Sequence, residues 1–194
     1  MLTSFRHMAA AAAACAALTF ASLTQTAAAQ DAAADAHLQV LCERAAKIVT
    51  ALQLEDAEQA TRVRDLIAQQ YLSLGKIHDA GSAQVTELDA LHRRFLARLG
   101  AELSPQHVDA VKDGMTYGVA PLTFNAYREL LPQLTADQRR EVHAQLLEAR
   151  EYAMDAGSSE AKHAMFGKYK GRINNYLSQA GYDLKQAEQS RAAR

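Results

Sequence analysis

Apolar residues recur with helical spacing along nearly the whole chain from about residue 35, and this periodicity constrains the fold more than any other feature. No segment shows a sustained apolar–polar alternation rich in β-branched residues, which is the pattern typical of strands. Abundant Ala, Leu, Gln, Glu and Arg, with only three prolines, agree with helices. The sequence therefore predicts an all-α fold.

The helical segments end at residues that commonly cap helices, so their bounds can be predicted. Serine or threonine is predicted to cap three N-termini, at Ser104, Thr135 and Ser158 or Ser159, and glycine to end three helices, at Gly100, Gly157 and Gly181. The predicted helices span residues 35–54, 56–78, 84–99, 105–116, 123–131, 135–157 and 159–181. We expect a single-domain bundle of six or seven helices at residues 30–184, followed by a frayed tail at 185–194.

Residues 1–29 have the three-part layout of a secretory signal peptide. Arg6 precedes an uncharged apolar run, and small residues precede the expected cleavage site before Gln30. A membrane anchor would need a longer and less alanine-rich run, and the apolar stretch before Cys15 is too short for a lipoprotein signal. We expect a periplasmic or secreted protein with no membrane association after cleavage.

Charge and cysteine content exclude several classes of protein. The whole chain has 21 basic and 22 acidic residues, and the signal peptide contributes only Arg6. This near balance argues against a general nucleic-acid binder or a protein that binds anionic membranes. With Cys15 in the signal peptide, Cys42 has no intramolecular partner and is expected to be a small buried residue rather than a nucleophile.

The last predicted helix contains two glycines four residues apart, and each weakens a helix by about 1 kcal/mol relative to alanine. On a helical wheel, Gly167 and Gly171 lie in a strip with His163 and Asn174, opposite the apolar arc. Lys168, Arg172, Asn175 and Lys170 flank this strip. Three interpretations remain open: another element packs against the glycines, the glycines form the floor of a groove, or the helix breaks near Gly167.

Three segments resemble the secreted bacterial family known as domain of unknown function 3826: VKDGMTYGV, EAREYAMDAGSSEAKHAMFGKYKGRINNYLSQAGYD, and KIVTALQL with QYLSLGKIHDA. The resemblance extends over about residues 45–183. It implies a helical, exported protein from bacteria that degrade carbohydrates, and it carries over no activity or catalytic residue. The family's motif residues cluster on the glycine-containing helix, from Lys162 to Tyr176.

Candidate ligand-binding residues follow from these patterns, whereas no catalytic residue can be assigned. Tyr117 lies at a helix end between two glycines, and Arg150 lies in an apolar arc as either an internal strut or an anion clamp. The predicted binding set is His163, Lys168, Lys170, Arg172, Asn174, Asn175, Tyr117 and Arg150. No metal-ligand spacing or cofactor motif is present, so neither a metal nor a cofactor is expected; His78, His92 and His143 are expected to be partly buried and hydrogen-bonded.

The sequence predicts a ligand-binding or partner-binding protein of unassigned activity, with an anionic glycan fragment or a protein as the candidate partner. A carbohydrate-active enzyme of unknown reaction is one alternative. The other is a periplasmic chaperone-like protein, because LSPQH and LTADQ resemble the LTxxQ boxes of small periplasmic stress chaperones, although such segments are also helix-capping sequences.

Overall fold

The computed structural model of the chain describes residues 32, 34–81 and 85–192, so the predicted signal peptide lies outside the described residues. The chain divides into two compact units, one ending at Glu43 and the other comprising Arg44–Arg194. In the first unit, residues 34–43 are helical. The second unit contains every predicted site residue.

Helices α1 to α8 span 34–52, Ala57–Asp79, Val85–Glu102, Pro105–Met115, Val119–Leu130, Ala136–Met154, Ser159–Gln179 and Leu184–Ala192. The described ranges contain no strand, which confirms the predicted all-α class. They contain eight helices rather than six or seven. The additional helix is α8, in the segment that was expected to fray.

The predicted N-caps explain where several helices begin. Ser104 accepts a hydrogen bond from the backbone N–H of His107, and Ser158 accepts one from Ala161. Thr135 and Gln138 form a reciprocal capping box at the start of α6. These oxygens bind backbone N–H groups that have no partner within the helix, so each helix begins at a defined residue.

The core of the second unit is built around α6, which packs against α4, α5 and α7. Val142, Leu146, Ala149 and Ala153 on α6 are completely buried. They meet the predicted apolar arc of α7, in which Phe166, Tyr169, Ile173 and Leu177 are all buried. This arrangement places α5 and α7 on α6 and leaves the opposite face of α7 exposed.

The two glycines of α7 lie on that exposed face. A Cβ atom placed on Gly167 or Gly171 would have no neighbouring atom within 4 Å, apart from its own helix, in the part of the chain that the structure describes. The close-packing interpretation is therefore wrong. Helix α7 is also continuous from Ser159 to Gln179, so it does not break near Gly167.

Gly157 does not have the helix-ending role that was predicted for it. It was expected to end α6 in the left-handed conformation, but α6 ends at Met154 and Gly157 does not have a positive φ. Instead, a Cβ at Gly157 would lie 2.6 Å from His78 Cγ. The missing side chain allows α2 to approach the α6–α7 connection. Gly181, in contrast, has a φ of +92° after α7, as a glycine stop requires.

None of the described helices is both long and apolar enough to span a bilayer.

Candidate functional site

The turn between α4 and α5 has an unusual backbone. Tyr117 and Gly118 have φ angles of +59° and +65°, so two successive residues adopt the left-handed conformation. This conformation suits glycine but is strained for a large residue such as tyrosine. The Gly118 N–H donates to the Asp113 carbonyl at 2.8 Å, which holds the turn against the end of α4.

This turn brings together two of the predicted site residues. The rings of Tyr117 and His163 are stacked, with centroids 5.6 Å apart and planes 13° from parallel. Tyr117 is 46% exposed, and His163 is exposed in the first turns of α7. The strained turn therefore presents an aromatic pair to solvent.

Lys162, next to His163, has a structural role that the sequence did not reveal. It is 5% exposed, and its Nζ donates to the carbonyls of Met115 and Met154, both at 3.2 Å. These are the last residues of α4 and α6, where helix dipoles favour a cation. Burial lowers the pKa of Lys162 to about 8, and nearby Asp155 partly opposes this shift. The ammonium group holds two helix ends together.

A groove of about 810 Å³ lies beside α5, α7 and α8. It has apolar walls with polar groups at intervals, an arrangement typical of ligand sites. Its lining residues are Leu122, Thr123, Ala126, Tyr127, Leu130, Lys170, Asn174, Leu184, Glu188 and Arg191. Lys170 and Asn174 belong to the predicted binding set. We call this cavity the α5–α7 groove.

Tyr127 orients the amide of Asn174 across the groove. The Tyr127 hydroxyl donates to Asn174 Oδ1 at 2.5 Å, and it lies 3.5 Å from the Lys170 carbonyl. Burial raises the pKa of Tyr127 to about 12, and Glu188 adds to this effect, so the hydroxyl remains a donor at neutral pH. Because the amide oxygen is occupied, the NH₂ group of Asn174 is the part that can donate to a ligand.

Two cationic side chains line the groove, and they differ in whether a carboxylate lies within ion-pair distance. Arg191 lies 3.1 Å from Glu129, and both side chains are exposed. Lys170 has no carboxylate within ion-pair distance among the residues that the structure describes. Lys170 is therefore the cation that is available to a negatively charged ligand.

The remaining predicted site residues do not line the groove. Lys168 and Asn175 are exposed on other sides of α7. Arg172 lies over the Tyr169 ring at 4.7 Å, with Glu148 3.9 Å away. The structure thus divides the predicted set. Lys170 and Asn174 line the groove, Tyr117 and His163 form the stacked pair, and the other four residues belong to neither.

Arg150 is an internal strut, the first of its two predicted roles. Its side chain is 4% exposed, with Nη1 2.8 Å from Asp113 Oδ1 and Nη2 2.6 Å from Asp109 Oδ1. Burial alone would lower its pKa, but Asp113 and Asp109 raise it, so the guanidinium stays charged. Arg150 ties α6 to α4 and is not accessible as an anion clamp.

Ion pairs continue from Arg150 towards α3. Lys112 donates to both carboxylate oxygens of Glu151 at 3.0 Å, and His92 Nε2 lies 3.5 Å from Glu151. His92 Nδ1 lies 2.8 Å from Asp155, although its N–H is not aligned for a regular hydrogen bond. Asp155 and Glu151 together raise the pKa of His92 to about 9. Within the described residues, no group of three or more His, Cys, Asp or Glu side chains is arranged to hold a metal ion.

The other two histidines that were expected to be partly buried have different surroundings. His78 is half-buried, and its Nε2 lies 2.7 Å from the Asp155 carbonyl, as expected for a hydrogen-bonded core histidine. His143 is exposed, and its ring packs against Phe124 with centroids 4.7 Å apart. The prediction of partial burial is therefore wrong for His143.

The groove residues of α5 and α8 were missed in the sequence. Leu122 is 67% exposed in α5, but the predicted helix began at Thr123, so its periodicity did not assign Leu122 to a helix face. Leu184 is the last residue of the predicted domain and Arg191 lies in the tail expected to fray, so neither was predicted to line a site.

Comparison with curated proteins finds no match to the chain. A family described as a protein of unknown function, domain of unknown function 3826, matches residues 38–90 and 82–194. These two segments cover well over half of the sequence and include every residue of the α5–α7 groove. The chain therefore belongs to the domain of unknown function 3826 family.

Proposed function

We propose that this protein is an exported binding protein that holds an acidic oligosaccharide in the α5–α7 groove. The observation that carries the proposal is the position of Lys170 and Asn174 in the wall of the 810 Å³ groove. Lys170 supplies a positive charge without a carboxylate partner among the described residues, and Asn174 supplies an oriented amide donor.

The chemistry of the groove fits a ligand with three properties. Leu122, Leu130 and Leu184 form apolar walls that suit the C–H faces of a ring. Thr123 and Asn174 can exchange hydrogen bonds with hydroxyl groups. Lys170 can pair with a carboxylate or sulfate. Acidic sugars combine apolar faces, hydroxyl groups and negative charge.

Export is the second part of the proposal, and the layout of residues 1–29 supports it. We expect the mature protein from a bacterial host to begin near Gln30. Intact-mass analysis and N-terminal sequencing of the protein in the periplasm or medium provide the test. A protein that retained residues 1–29 would contradict export by cleavage.

Calorimetric titration with oligogalacturonates and with sulfated oligosaccharides tests the groove. We expect Lys170→Gln and Asn174→Ala to weaken binding, whereas Lys168→Gln, which removes an exposed lysine outside the groove, leaves it unchanged. Binding by charge must also weaken as salt increases.

Two results would contradict the proposal: no binding of any acidic oligosaccharide by the wild-type protein, or equal losses in Lys170→Gln and Lys168→Gln. Cleavage of the oligosaccharide during the titration would instead favour the alternative of a carbohydrate-active enzyme.

A further inference from the structure

We infer that the ligand site extends from the α5–α7 groove to the Tyr117–His163 pair, which forms a second subsite for a sugar ring. This inference rests on the proposed function and specifies it, because a site of this length selects oligosaccharides over single sugars. Three features support it: the continuity of the groove wall, the open path along α7, and the geometry of the aromatic pair.

The wall of the groove reaches the turn that carries Tyr117. Leu122 lines the groove, and its Cδ1 lies 4.0 Å from the position that a Cβ of Gly118 would occupy. Gly118 directly follows Tyr117 in the turn. Leu122 is also 67% exposed, so its side chain forms an apolar surface between the two regions. A ligand that leaves the groove along α5 therefore meets Tyr117.

The same path runs along α7. His163, Gly167, Lys170 and Asn174 are separated by four, three and four residues, which places them on one stripe of the helix. At 1.5 Å per residue, the stripe from His163 to Asn174 is about 16 Å long. Gly167 lies between its two ends, and no described side chain or backbone atom outside α7 would lie within 4 Å of a Cβ there. The surface at Gly167, between the groove and the aromatic pair, is therefore open.

The Tyr117–His163 pair has the properties of a ring-binding platform. His163 stacks on the tyrosine ring with nearly parallel planes and so fixes its orientation. The tyrosine remains 46% exposed, and its hydroxyl can bond to a sugar hydroxyl. The positive φ of Tyr117 is a strained backbone conformation, which persists only where the surrounding structure fixes the turn. A preorganised aromatic ring loses little entropy when a ligand binds.

Titration of oligogalacturonates of increasing length tests the second subsite. Tyr117→Asn removes the ring, and asparagine tolerates the left-handed backbone at this position better than most residues do. We expect this variant to bind hexamers and longer oligomers about tenfold more weakly, the effect of losing one aromatic contact, and to bind dimers like the wild type. His163→Ala should cause the same length-dependent loss without altering the turn. Tyr152→Asn is the matched control, because Tyr152 is 56% exposed but stacks on Tyr169, away from this stripe.

The results of these titrations distinguish a failure of the second subsite from a failure of the proposed function. If Tyr117→Asn and His163→Ala bind long oligomers as tightly as the wild type while Lys170→Gln does not, the second subsite is refuted and the groove remains. If both aromatic variants weaken dimers and long oligomers equally, the length-dependent subsite is also refuted. If the wild type binds no oligomer, both ideas fail. A thermal melt of each variant shows whether it is folded, and should Tyr117→Asn be unfolded, His163→Ala alone decides the question.

Discussion

At the residue scale, the glycines of this fold differ in the space that surrounds them. Gly114 lies against α1, where an added Cβ would be 2.8 Å from Ile48 Cγ2. Such a distance is too short for two carbon atoms, so one of the helices would have to move. Around Gly171 there is open space. Helix propensity is therefore the only local term at Gly171, whereas packing dominates at Gly114.

We predict that Gly171→Ala raises the free energy of unfolding by up to about 1 kcal/mol, since alanine is the better helix former. Gly114→Ala is expected to lower it by about 1–3 kcal/mol, because the overpacked contact outweighs the same gain in propensity. Urea denaturation of both variants and of the wild type provides the measurement. Destabilisation by Gly171→Ala would show that another element packs on this face.

At the element scale, α8 forms one wall of the groove but little of the core. Among residues 184–191, whose burial the structure describes, none is fully buried, and Leu184 and Ala187 are only partly covered by the core. It packs against α5 and α7, and the exposed Arg191–Glu129 pair adds little stability.

We therefore predict that removal of residues 184–194 leaves a cooperatively folded helical protein with a slightly lower melting temperature. The truncated protein should lose most of its affinity for acidic oligosaccharides, because the wall containing Leu184 and Arg191 is gone. Circular dichroism melts and calorimetric titration measure the two effects. Complete unfolding of the truncated protein would show that α8 is part of the core.

The sequence predicted helices α2 to α7 from their apolar spacing and their N-capping residues, but two of the predicted glycine stops are wrong. Gly100 lies inside α3, and Gly157 lies three residues after the end of α6. The start of α5 was placed four residues late, at Thr123. Pro121 is in fact the third residue of α5, where no N–H is needed for a helical hydrogen bond. Helix α8 was missed because its sequence has few apolar residues, and contacts with α5 and α7 stabilise it instead.

Tertiary packing, which sequence periodicity does not show, also explains why only part of the site was predicted. Lys170 and Asn174 were predicted because one helix defines their stripe, whereas Leu122 and Leu184 join them only through tertiary packing. Spacing along a single helix cannot identify a cavity whose walls come from three helices.

At the scale of the whole molecule, a chain of ion pairs connects α3, α4 and α6. His92 links Glu151 and Asp155, and Lys112 and Arg150 neutralise the same cluster from α4 and α6. Burial would raise the pKa of Glu151, but hydrogen bonds from His92 and Lys112 lower it to about 2. Glu151 is therefore charged throughout the neutral range.

The raised pKa of His92 makes stability depend on pH in one direction. The folded protein holds this proton up to about pH 9, whereas an unfolded histidine loses it near its ordinary pKa of 6.5. The contribution of His92 is thus fully present below pH 6.5 and disappears as pH rises to 9. We predict that the difference in melting temperature between the wild type and His92→Gln is large at pH 6 and small at pH 9.5. A difference that did not change with pH would show that folding leaves the pKa of His92 at its ordinary value.

The open space around Gly167 and Gly171 has an evolutionary consequence. Most mutations destabilise a protein, so a change of specificity often costs stability. Here, any side chain other than proline at these two positions would project into solvent beside the stripe from His163 to Asn174 while the core stayed unchanged. Single substitutions at Gly167 or Gly171 could thus change which ligand a related protein binds without destabilising its fold.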